Sequence, residues 1–359
     1  MRVKLKDITK FSKGTQINGK NLIDDGAYSY LNGGINPSGK WNEFNVAENT
    51  VTISEGGNSS GYVNYMNEAF WCGAHCYYLY DGPKNSKYLY YALKSQQERL
   101  FRIRSGACMP NIKKSDLGNF ILEYEQDEVR QEEVVKVLEK CELLIEDYKK
   151  ELDLLDEAVR ARFVEMFGDE KKQIIMRDVC SIITDGTHQP PNFKNIGIPF
   201  IFVSNIAGDK LTYNVEKYID QDTYDELIKR TPIELGDVLL STVGSYGHAA
   251  VVKENKKFLF QRHIAYLKPK SELINSDYLH GAILSPNVQE QIERAIKGIA
   301  QKTLNLSEVK KLMIPLPSME KQNQFASFVE EIDKSRSRIQ KSLEASQELF
   351  DSLMQEYFG

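Results

Sequence analysis

Residues 128–168 read EVRQEEVVKVLEKCELLIEDYKKELDLLDEAVRARFVEMFG. Apolar side chains recur along this stretch in alternating steps of four and three residues, at Val134, Leu138, Cys141, Ile145, Tyr148, Leu152, Leu155 and Val159. This heptad spacing is typical of a helix that packs lengthwise against another helix. No glycine or proline interrupts the stretch before Gly168, which suits a helix C-terminus. The pattern predicts one long helix over residues 127–168.

The end of the chain repeats this pattern. Residues 318–359 read SMEKQNQFASFVEEIDKSRSRIQKSLEASQELFDSLMQEYFG, and the same alternation runs through Ile332, Arg336, Ile339, Leu343, Ser346, Phe350, Leu353 and Tyr357. Pro315 and Pro317 stand upstream, where they oppose extension of a helix, and Ser318 is a suitable N-cap. A second long helix is predicted over residues 318–359.

The segments before the two helices also correspond. NSKYLYYAL at 85–93 matches NSDYLHGAI at 275–283, and SGACMPNIKKSDLGNFIL at 105–122 matches KGIAQKTLNLSEVKKLMI at 297–314. The offset between copies grows from 171 residues at Asp7 and Asp178 to 191 residues at Gly168 and Gly359, with the extra sequence largely in 190–234. The chain is therefore a tandem duplication. Its globular domains are predicted at 1–126 and 169–317.

These elements predict an α+β fold. Two β-rich domains are joined by two long helices that form an antiparallel coiled coil, because each helix carries the seam that the other needs. The predicted seam of the helix pair consists of Leu138, Ile145, Leu152, Val159, Ile332, Ile339, Leu343 and Phe350. The alternative is that each helix folds back on its own domain.

Composition excludes several classes of protein. No apolar run approaches the roughly 20 residues that cross a bilayer, and no apolar stretch follows the basic N-terminus as in a secretory signal. Five irregularly spaced cysteines argue against a disulfide framework. We expect a soluble cytoplasmic protein. The net charge of −5 is unevenly divided, at −6 and −3 on the two helices and +3 and +1 on the two domains.

Motifs for catalysis are missing from the sequence. QPPNF at 189–193 has two prolines but lacks the asparagine and the adjacent aromatic residue of an adenine methyltransferase motif, and no G-x-x-x-x-G-K-[ST] phosphate loop occurs. WCGAHCYY at 71–78 brings Cys72, His75 and Cys76 together, which could be three zinc ligands, but no second ligand cluster follows at finger-like spacing. A buried strand is the favoured interpretation of this stretch. We predict no catalytic residue and no metal site.

Several motifs resemble those of one known family. They are IPLPSMEKQNQFASFVEEID at 314–333, DGTHQPPNF at 185–193, GIPFIFVSNI at 197–206, GDVLLSTVGSYG at 236–247 and the EMFGDE that ends the first helix. In this order, with the duplication, the chain resembles the specificity (S) subunit of type I restriction–modification enzymes. The corresponding helix entry of the first copy, at 120–140, lacks the prolines.

The resemblance implies a DNA-binding function. Each domain would be a target recognition domain for one half of a bipartite, asymmetric site in double-stranded DNA. The helices would act as a spacer ruler and dock two methyltransferase (M) subunits, through which restriction (R) subunits join. S-adenosylmethionine and ATP-Mg would bind those partners, and this chain would be non-catalytic. The alternative is a coiled-coil scaffold whose end domains bind protein or glycan.

Candidate DNA-binding residues are polar or basic side chains in predicted loops, because such groups hydrogen-bond to base edges and phosphates. In the first domain they are Lys13, Thr15, Gln16, Asn36, Lys40, Asn58, Ser59, Arg102 and Arg104. In the second domain they are Thr187, His188, Gln189, Asn205, Thr242, Ser245, Tyr246, Gln261, Arg262, Lys297, Gln301 and Lys302. A surface-loop role without base contact is the alternative for each residue.

Overall fold

The computed structural model describes residues 1–106, 108–298 and 302–359. Its contacts divide the chain into two compact units. The first unit comprises Met1–Lys149 and Lys341–Gly359, and the second comprises Lys150–Gln340. Each unit therefore contains one globular part and one half of each long helix. The compact units divide both long helices near their middles. They therefore do not test the predicted domain boundaries, which lie at the ends of the helices.

The strands are short. In chain order they are β1 (Arg2–Lys4), β2 (Lys10–Lys13), β3 (Tyr28–Leu31), β4 (Gly39–Trp41), β5 (Thr50–Ser54), β6 (Val63–Met66), β7 (Phe70–Cys72), β8 (Cys76–Tyr80), β9 (Ile121–Glu123), β10 (Gln173–Ile175), β11 (Cys180–Asp185), β12 (Ile198–Ile201), β13 (Tyr218–Ile219), β14 (Val238–Ser241), β15 (Ala249–Val251), β16 (Leu259–Phe260), β17 (Ile264–Pro269) and β18 (Met313–Pro315).

The helices vary in length from a single turn to 40 residues. They are α1 (Leu5–Ile8), α2 (Ser86–Ser95), α3 (Gln97–Arg102), α4 (Lys114–Gly118), α5 (Glu128–Phe167), α6 (Met176–Val179), α7 (Gln221–Leu227), α8 (Ser276–Leu284), α9 (Pro286–Ala295), α10 (Leu306–Val309) and α11 (Met319–Phe358).

The two units have the same sheet topology. The first contains a four-stranded antiparallel sheet in the order β2-β8-β5-β6, a three-stranded sheet in the order β4-β3-β7, and the pair β1-β9. The second contains β11-β17-β14-β15, β13-β12-β16 and β10-β18. In both three-stranded sheets one pairing is antiparallel and the other parallel. The tandem repeat predicted from the sequence is thus a repeat of the fold.

Burial explains the position of the central strands. Strands β5 (TVTIS) and β14 (VLLS) are almost completely buried, and each is hydrogen-bonded to another strand on both sides. Continuous apolar, largely β-branched runs are typical of strands covered on both faces. Residues 241–250, STVGSYGHAA, contain the turn of the antiparallel pair β14–β15.

The extra residues of the second copy lie between β12 and β14. Residues 32–49 separate β3 from β5 in the first unit, whereas residues 202–237 separate the corresponding strands in the second. The longer segment contains β13, α7 and two short 3-10 helices. This position agrees with the insertion expected around 190–234.

The two long helices end within one residue of their predicted limits. Asp127 caps α5 by accepting a hydrogen bond from the Val129 N–H (3.0 Å), and the Ser318 hydroxyl lies 3.5 Å from the Lys321 N–H at the start of α11. In the described part of the chain, no helix is both long and apolar enough to span a membrane.

In the first unit, the beginning of α5 packs against the end of α11. Val134 and Leu138 share one hydrophobic core with Phe358, and Phe350 and Leu353 pack against that core. The core also contains side chains of β5, β8 and α2. The helices therefore pack on each other, as predicted, and also on the globular part, which for the end of α11 is that of the other copy.

In the second unit, the end of α5 packs against the beginning of α11. Phe163 and Phe167 share a core with Phe325 and Val329. The guanidinium of Arg336, a polar break in the predicted seam, donates to the Asp156 carboxylate at 2.6 Å. Since the beginning of one helix meets the end of the other in both units, the helices are antiparallel.

The predicted seam is buried to different degrees. Leu138 and Ile145 are buried, whereas the remaining predicted seam residues are half-buried: Leu152, Val159, Ile332, Ile339, Leu343 and Phe350. A coiled coil with a fully dry seam would bury all of them.

Candidate nucleic-acid interface

In the second unit, loops converge at one end of the four-stranded sheet. The loop after β11 meets the β16–β17 loop, because the Thr187 N–H donates to the Phe260 carbonyl at 2.9 Å and the Arg262 N–H donates to the Thr187 carbonyl at 3.0 Å. The loop after β14 joins them, because the Thr242 N–H donates to the His263 carbonyl at 2.9 Å.

A further loop, between α9 and α10, completes this group. The Leu304 N–H donates to the Thr242 carbonyl at 2.8 Å, and the Gly244 N–H donates to the Lys302 carbonyl at 3.2 Å. The Lys302 ammonium lies 5.8 Å from the centre of the Tyr246 ring. A cation beside an aromatic face is an arrangement that suits contact with phosphates and stacked bases.

The first unit brings the corresponding loops together. The Glu55 N–H, after β5, donates to the His75 carbonyl in the β7–β8 loop at 2.8 Å. The Gly57 N–H donates to the Pro110 carbonyl, in the loop before α4, at 2.9 Å. We call the loops after β2, after β5, between β7 and β8, and before α4, together with their equivalents in the second unit, the loop cluster of each unit.

Equivalent residues can be assigned from these bonds. The Glu55 N–H bonds to the carbonyl of His75 as the Thr242 N–H bonds to that of His263. Glu55 therefore corresponds to Thr242, and His75 corresponds to His263. The sequence shows the same equivalence, because GAHCYYL at 73–79 aligns with QRHIAYL at 261–267 and places the two histidines opposite each other. Neither histidine was among the predicted DNA-binding residues.

Matching glycines shape the turns of both loop clusters. Gly57 and Gly244 have φ angles of 79° and 76°, and Gly106 and Gly298 have φ angles of 99° and 101°. L-amino acids with side chains rarely adopt this region, so glycine is favoured at each of these turns. The backbone can therefore follow the same path in both copies despite different loop side chains.

Most predicted DNA-binding residues of the first unit lie in its loop cluster. Five of them lie in its loops: Thr15, Gln16, Asn58, Ser59 and Arg104. Lys13 and Arg102 lie beside these loops, at the ends of β2 and α3. The Arg104 guanidinium donates to the carbonyls of Phe101 (2.7 Å) and Asn58 (3.3 Å), which ties α3 to the loop after β5. Asn36 and Lys40 lie outside the cluster, in the β3–β4 loop and in β4.

The second unit shows a similar distribution. The predicted residues in its loop cluster are Thr187, His188, Gln189, Thr242, Ser245, Tyr246, Gln261, Arg262, Lys297 and Lys302. Asn205 lies elsewhere, in the 3-10 helix Val203–Asn205. Gln301 lies outside the described residues.

Two of the predicted DNA-binding residues have buried side chains that form hydrogen bonds within the protein. Asn205 is 7% exposed, and its side-chain amide donates to the Asn214 carbonyl while its side-chain oxygen accepts the Phe202 N–H. Thr242 is 5% exposed and donates its hydroxyl to the His263 carbonyl at 2.9 Å. Neither side chain is available to a base edge in this conformation, so we leave both out of the proposed surface.

Some charged residues of the loop clusters were missed by the sequence analysis. Glu55 and His75 lie in the first cluster. Asp185 ends β11 beside the second cluster, where it contacts Arg230 of the 3-10 helix Ile228–Arg230. Burial, and then the nearby Arg262 charge, lower the pKa of His263 below its usual value. That histidine is therefore neutral at pH 7 and can both donate and accept a hydrogen bond.

The side chains of Cys72, His75 and Cys76 do not surround a common position that a metal ion could occupy. Cys72 and Cys76 are fully buried in the core, whereas the His75 side chain is 60% exposed. Among the described residues, no group of three or more His, Cys, Asp or Glu side chains is arranged to hold a metal ion.

Comparison with known proteins points to one family. A family model described as the type I restriction modification DNA specificity domain matches residues 1–155 and 170–347, which are the two copies of the repeat. The chain is 40% identical over 116 residues to the putative type I specificity subunit S.MpnORF638P of Mycoplasma pneumoniae, covering 32% of this chain and 31% of that protein. It is 30% identical over 158 residues to the type I restriction enzyme EcoBI specificity subunit of Escherichia coli, covering 44% and 33%. The matches thus span about a third of the length of these curated relatives.

Solved structures share the fold. A type I restriction-modification system S subunit from M. genitalium aligns with a TM-score of 0.64 at 19% identity, covering 100% of this chain and 96% of that chain. A chain from a study of complex assembly and conformational transition of the type I R-M system aligns with a TM-score of 0.55 at 14% identity, covering 99% and 96%. With both copies of its repeat matched by the family model, the chain belongs to the type I restriction modification DNA specificity domain family.

Proposed function

We propose that this chain is the DNA sequence-specificity subunit of a type I restriction–modification system. Each unit reads one half of a bipartite, asymmetric site in double-stranded DNA through its loop cluster. The observation that carries the proposal is the match of both repeats to the specificity-domain family. The convergence of polar loops at the same place in both units supports it.

The charge distribution supports DNA binding by the globular parts rather than by the helices. The helices are acidic, at −6 and −3, and the globular parts are weakly basic, at +3 and +1. Phosphates repel an acidic helix and are attracted to basic side chains such as Arg104 and Lys302. DNA contacts therefore belong to the loop clusters, and the helices are left for proteins and for setting the unread spacer between half-sites.

We assign two methyltransferase (M) subunits to the helices, with restriction (R) subunits joining through them. The assignment is supported by apolar side chains that the long helices leave exposed: Leu143, Leu144 and Leu349 in the first unit, and Leu154 and Val164 in the second. Apolar groups left in water by a folded helix are typical of protein interfaces. In this proposal S-adenosylmethionine and ATP-Mg bind to the partners, the chain itself is non-catalytic, and the assembly works in the cytoplasm. A scaffold for protein or glycan is not favoured, because it leaves the family match unexplained.

Selection from random duplexes tests the proposal. The full chain, assembled with its proposed methyltransferase partner, is incubated with a pool of random double-stranded DNA, and bound duplexes are amplified and sequenced. We expect enrichment of two short conserved elements that flank a spacer of constant length and variable sequence. A bound pool with no shared sequence would contradict the proposal.

A further inference from the structure

In the first unit, one carboxylate of the loop cluster holds two basic side chains. The Glu55 side chain is 14% exposed. One of its oxygens accepts a hydrogen bond from the Lys13 ammonium at 2.7 Å, and the other lies 3.5 Å from Nδ1 of His75. The three residues come from three different segments: Glu55 from the loop after β5, Lys13 from the end of β2, and His75 from the loop between β7 and β8.

The second unit has the same kind of cluster, built from other positions. The Asp185 side chain is 17% exposed. One of its oxygens accepts from the Arg230 guanidinium, and the other lies 2.9 Å from Nε2 of His188. Arg230 and His188 are themselves 3.2 Å apart, from Nη2 to Nε2.

The two carboxylates are not copies of one ancestral residue. Glu55 corresponds to Thr242 of the second unit, and Asp185 corresponds to Lys13 of the first, because Asp185 pairs with Ala265 in the sheet as Lys13 pairs with Tyr77. A carboxylate that holds one histidine and one cation therefore arises twice, from unrelated positions in the repeat. Ancestry alone does not explain this agreement.

A carboxylate in a DNA-binding loop lowers affinity, because it repels phosphates. Both carboxylates are mostly shielded from solvent, so salt screens them less than it screens exposed charges. Each also pairs with a cation, Lys13 or Arg230, which is then not free to neutralise a phosphate. The physical consequence is weaker unselective binding. The difference between a correct and an incorrect site increases when the base contacts of a correct site draw the cation off its carboxylate, because the loss then applies to incorrect sites alone.

Building on the proposed DNA-reading function, we propose that Glu55 and Asp185 are positioning residues that determine specificity. Each carboxylate holds its cation, Lys13 or Arg230, away from the phosphates of unselected DNA. Discrimination between sequences is thereby gained at the expense of affinity.

The test uses isosteric variants of both carboxylates. Glu55→Gln and Asp185→Asn remove the charge and keep the shape. The dissociation constants of the full chain with its methyltransferase partner are measured for the selected duplex and for a scrambled duplex, at several salt concentrations. For the scrambled duplex we expect affinity to rise about fivefold and the slope of log K against log salt to steepen by about 1, the value of one additional phosphate contact. The ratio of the two dissociation constants should fall by about fivefold or more.

Matched controls remove the same charge elsewhere. Asp81 pairs with Lys10 at 2.9 Å at the opposite end of β2 from Lys13, and Glu254 pairs with Lys256 at 2.6 Å in the β15–β16 loop. Asp81→Asn and Glu254→Gln change net charge identically but lie outside the loop clusters. We expect both controls to keep the wild-type ratio.

A double variant separates positioning from charge. If the gain in unselective binding comes from the released cation, Asp185→Asn combined with Arg230→Gln should return the affinity for the scrambled duplex to the wild-type value or below it. A double variant that keeps the gain would contradict positioning, and so would single variants with an unchanged ratio or with reduced affinity for both duplexes. A wild-type chain that selects no duplex would instead contradict the proposed function itself.

Discussion

The ring of Phe358, next to the last residue of the chain, lies 5.2 Å from the ring of Tyr88 in α2, centroid to centroid. The repeat places the ring of Phe167 at 4.9 Å from that of Tyr278 in the same way. The aromatic residue that ends each long helix is thus part of the core of a globular part, and this explains why the two helices end in similar sequences.

Removing the Phe358 ring should destabilise the first unit. Phe358 is 7% exposed, so Phe358→Ala leaves a cavity and should lower the free energy of unfolding by about 3 kcal/mol. Leu349→Ala is the matched control on the same helix, because Leu349 is 53% exposed and its truncation should cost less than about 0.5 kcal/mol. Denaturant unfolding measures both, and equal losses would show that the ring is not a core residue.

A buried glutamine fixes the start of α11. The Gln322 side chain is fully buried, accepts the Asn275 N–H at 2.9 Å, and donates to the carbonyls of Pro317 (3.1 Å) and Leu273 (3.3 Å). Gln322→Ala leaves these backbone groups without their partner and should cost about 1–3 kcal/mol. Gln324→Ala, at an exposed position two residues further, should be nearly neutral. Similar unfolding midpoints for the two variants would refute this role.

Stability should fall on mild acidification because of His280. Burial, the largest effect, lowers the pKa of His280, whose Nε2 lies 3.0 Å from the Ala249 carbonyl and 3.1 Å from that of Asp209. A histidine with a depressed folded-state pKa binds fewer protons when folded, so its contribution is complete above the unfolded pKa of about 6.5 and is lost as pH falls below it. Between pH 7.5 and 5.5, His280→Gln should lose less unfolding free energy than the wild type. Parallel pH profiles would exclude His280 as a source of the loss.

Lys302 should contribute to DNA binding without regard to sequence. Its ammonium is exposed beside the Tyr246 ring in the second loop cluster, where it suits a phosphate contact. Lys302→Ala should weaken selected and scrambled duplexes alike and reduce the salt slope by about 0.9. Lys256→Ala, outside the cluster, provides the comparison. An unchanged slope for Lys302→Ala would remove this residue from the interface.

Periodicity and repetition make the fold predictable from the sequence. The apolar spacing of α5 and α11 follows from the geometry of a single helix. Because the sequence is duplicated, a strand predicted in one copy can be checked against the matching segment of the other. Core aromatic residues such as Phe167 and Phe358 could also be matched by their position before a terminal glycine.

The loop clusters were less predictable because tertiary contacts decide which polar side chains remain available. Asn205 and Thr242 have the composition of base-reading residues, yet the folded chain uses them to satisfy its own backbone. Asp185 and Arg230 are 45 residues apart in sequence, and no local pattern reveals that they meet. Short polar side chains serve turns and DNA equally well, so residue type alone cannot separate the two roles.

The unread spacer of the selected site provides the most direct test of the claim that the helix pair sets the distance between half-sites. Deleting one heptad from each helix, residues 143–149 and 341–347, shortens each by about 10 Å, and random-duplex selection is then repeated. A variant in which the same residues are replaced by another heptad of equal length serves as the control. We predict that both half-sites keep their sequence while the spacer contracts by about three base pairs, with no contraction in the control. A spacer of unchanged length in the deletion variant would contradict the account.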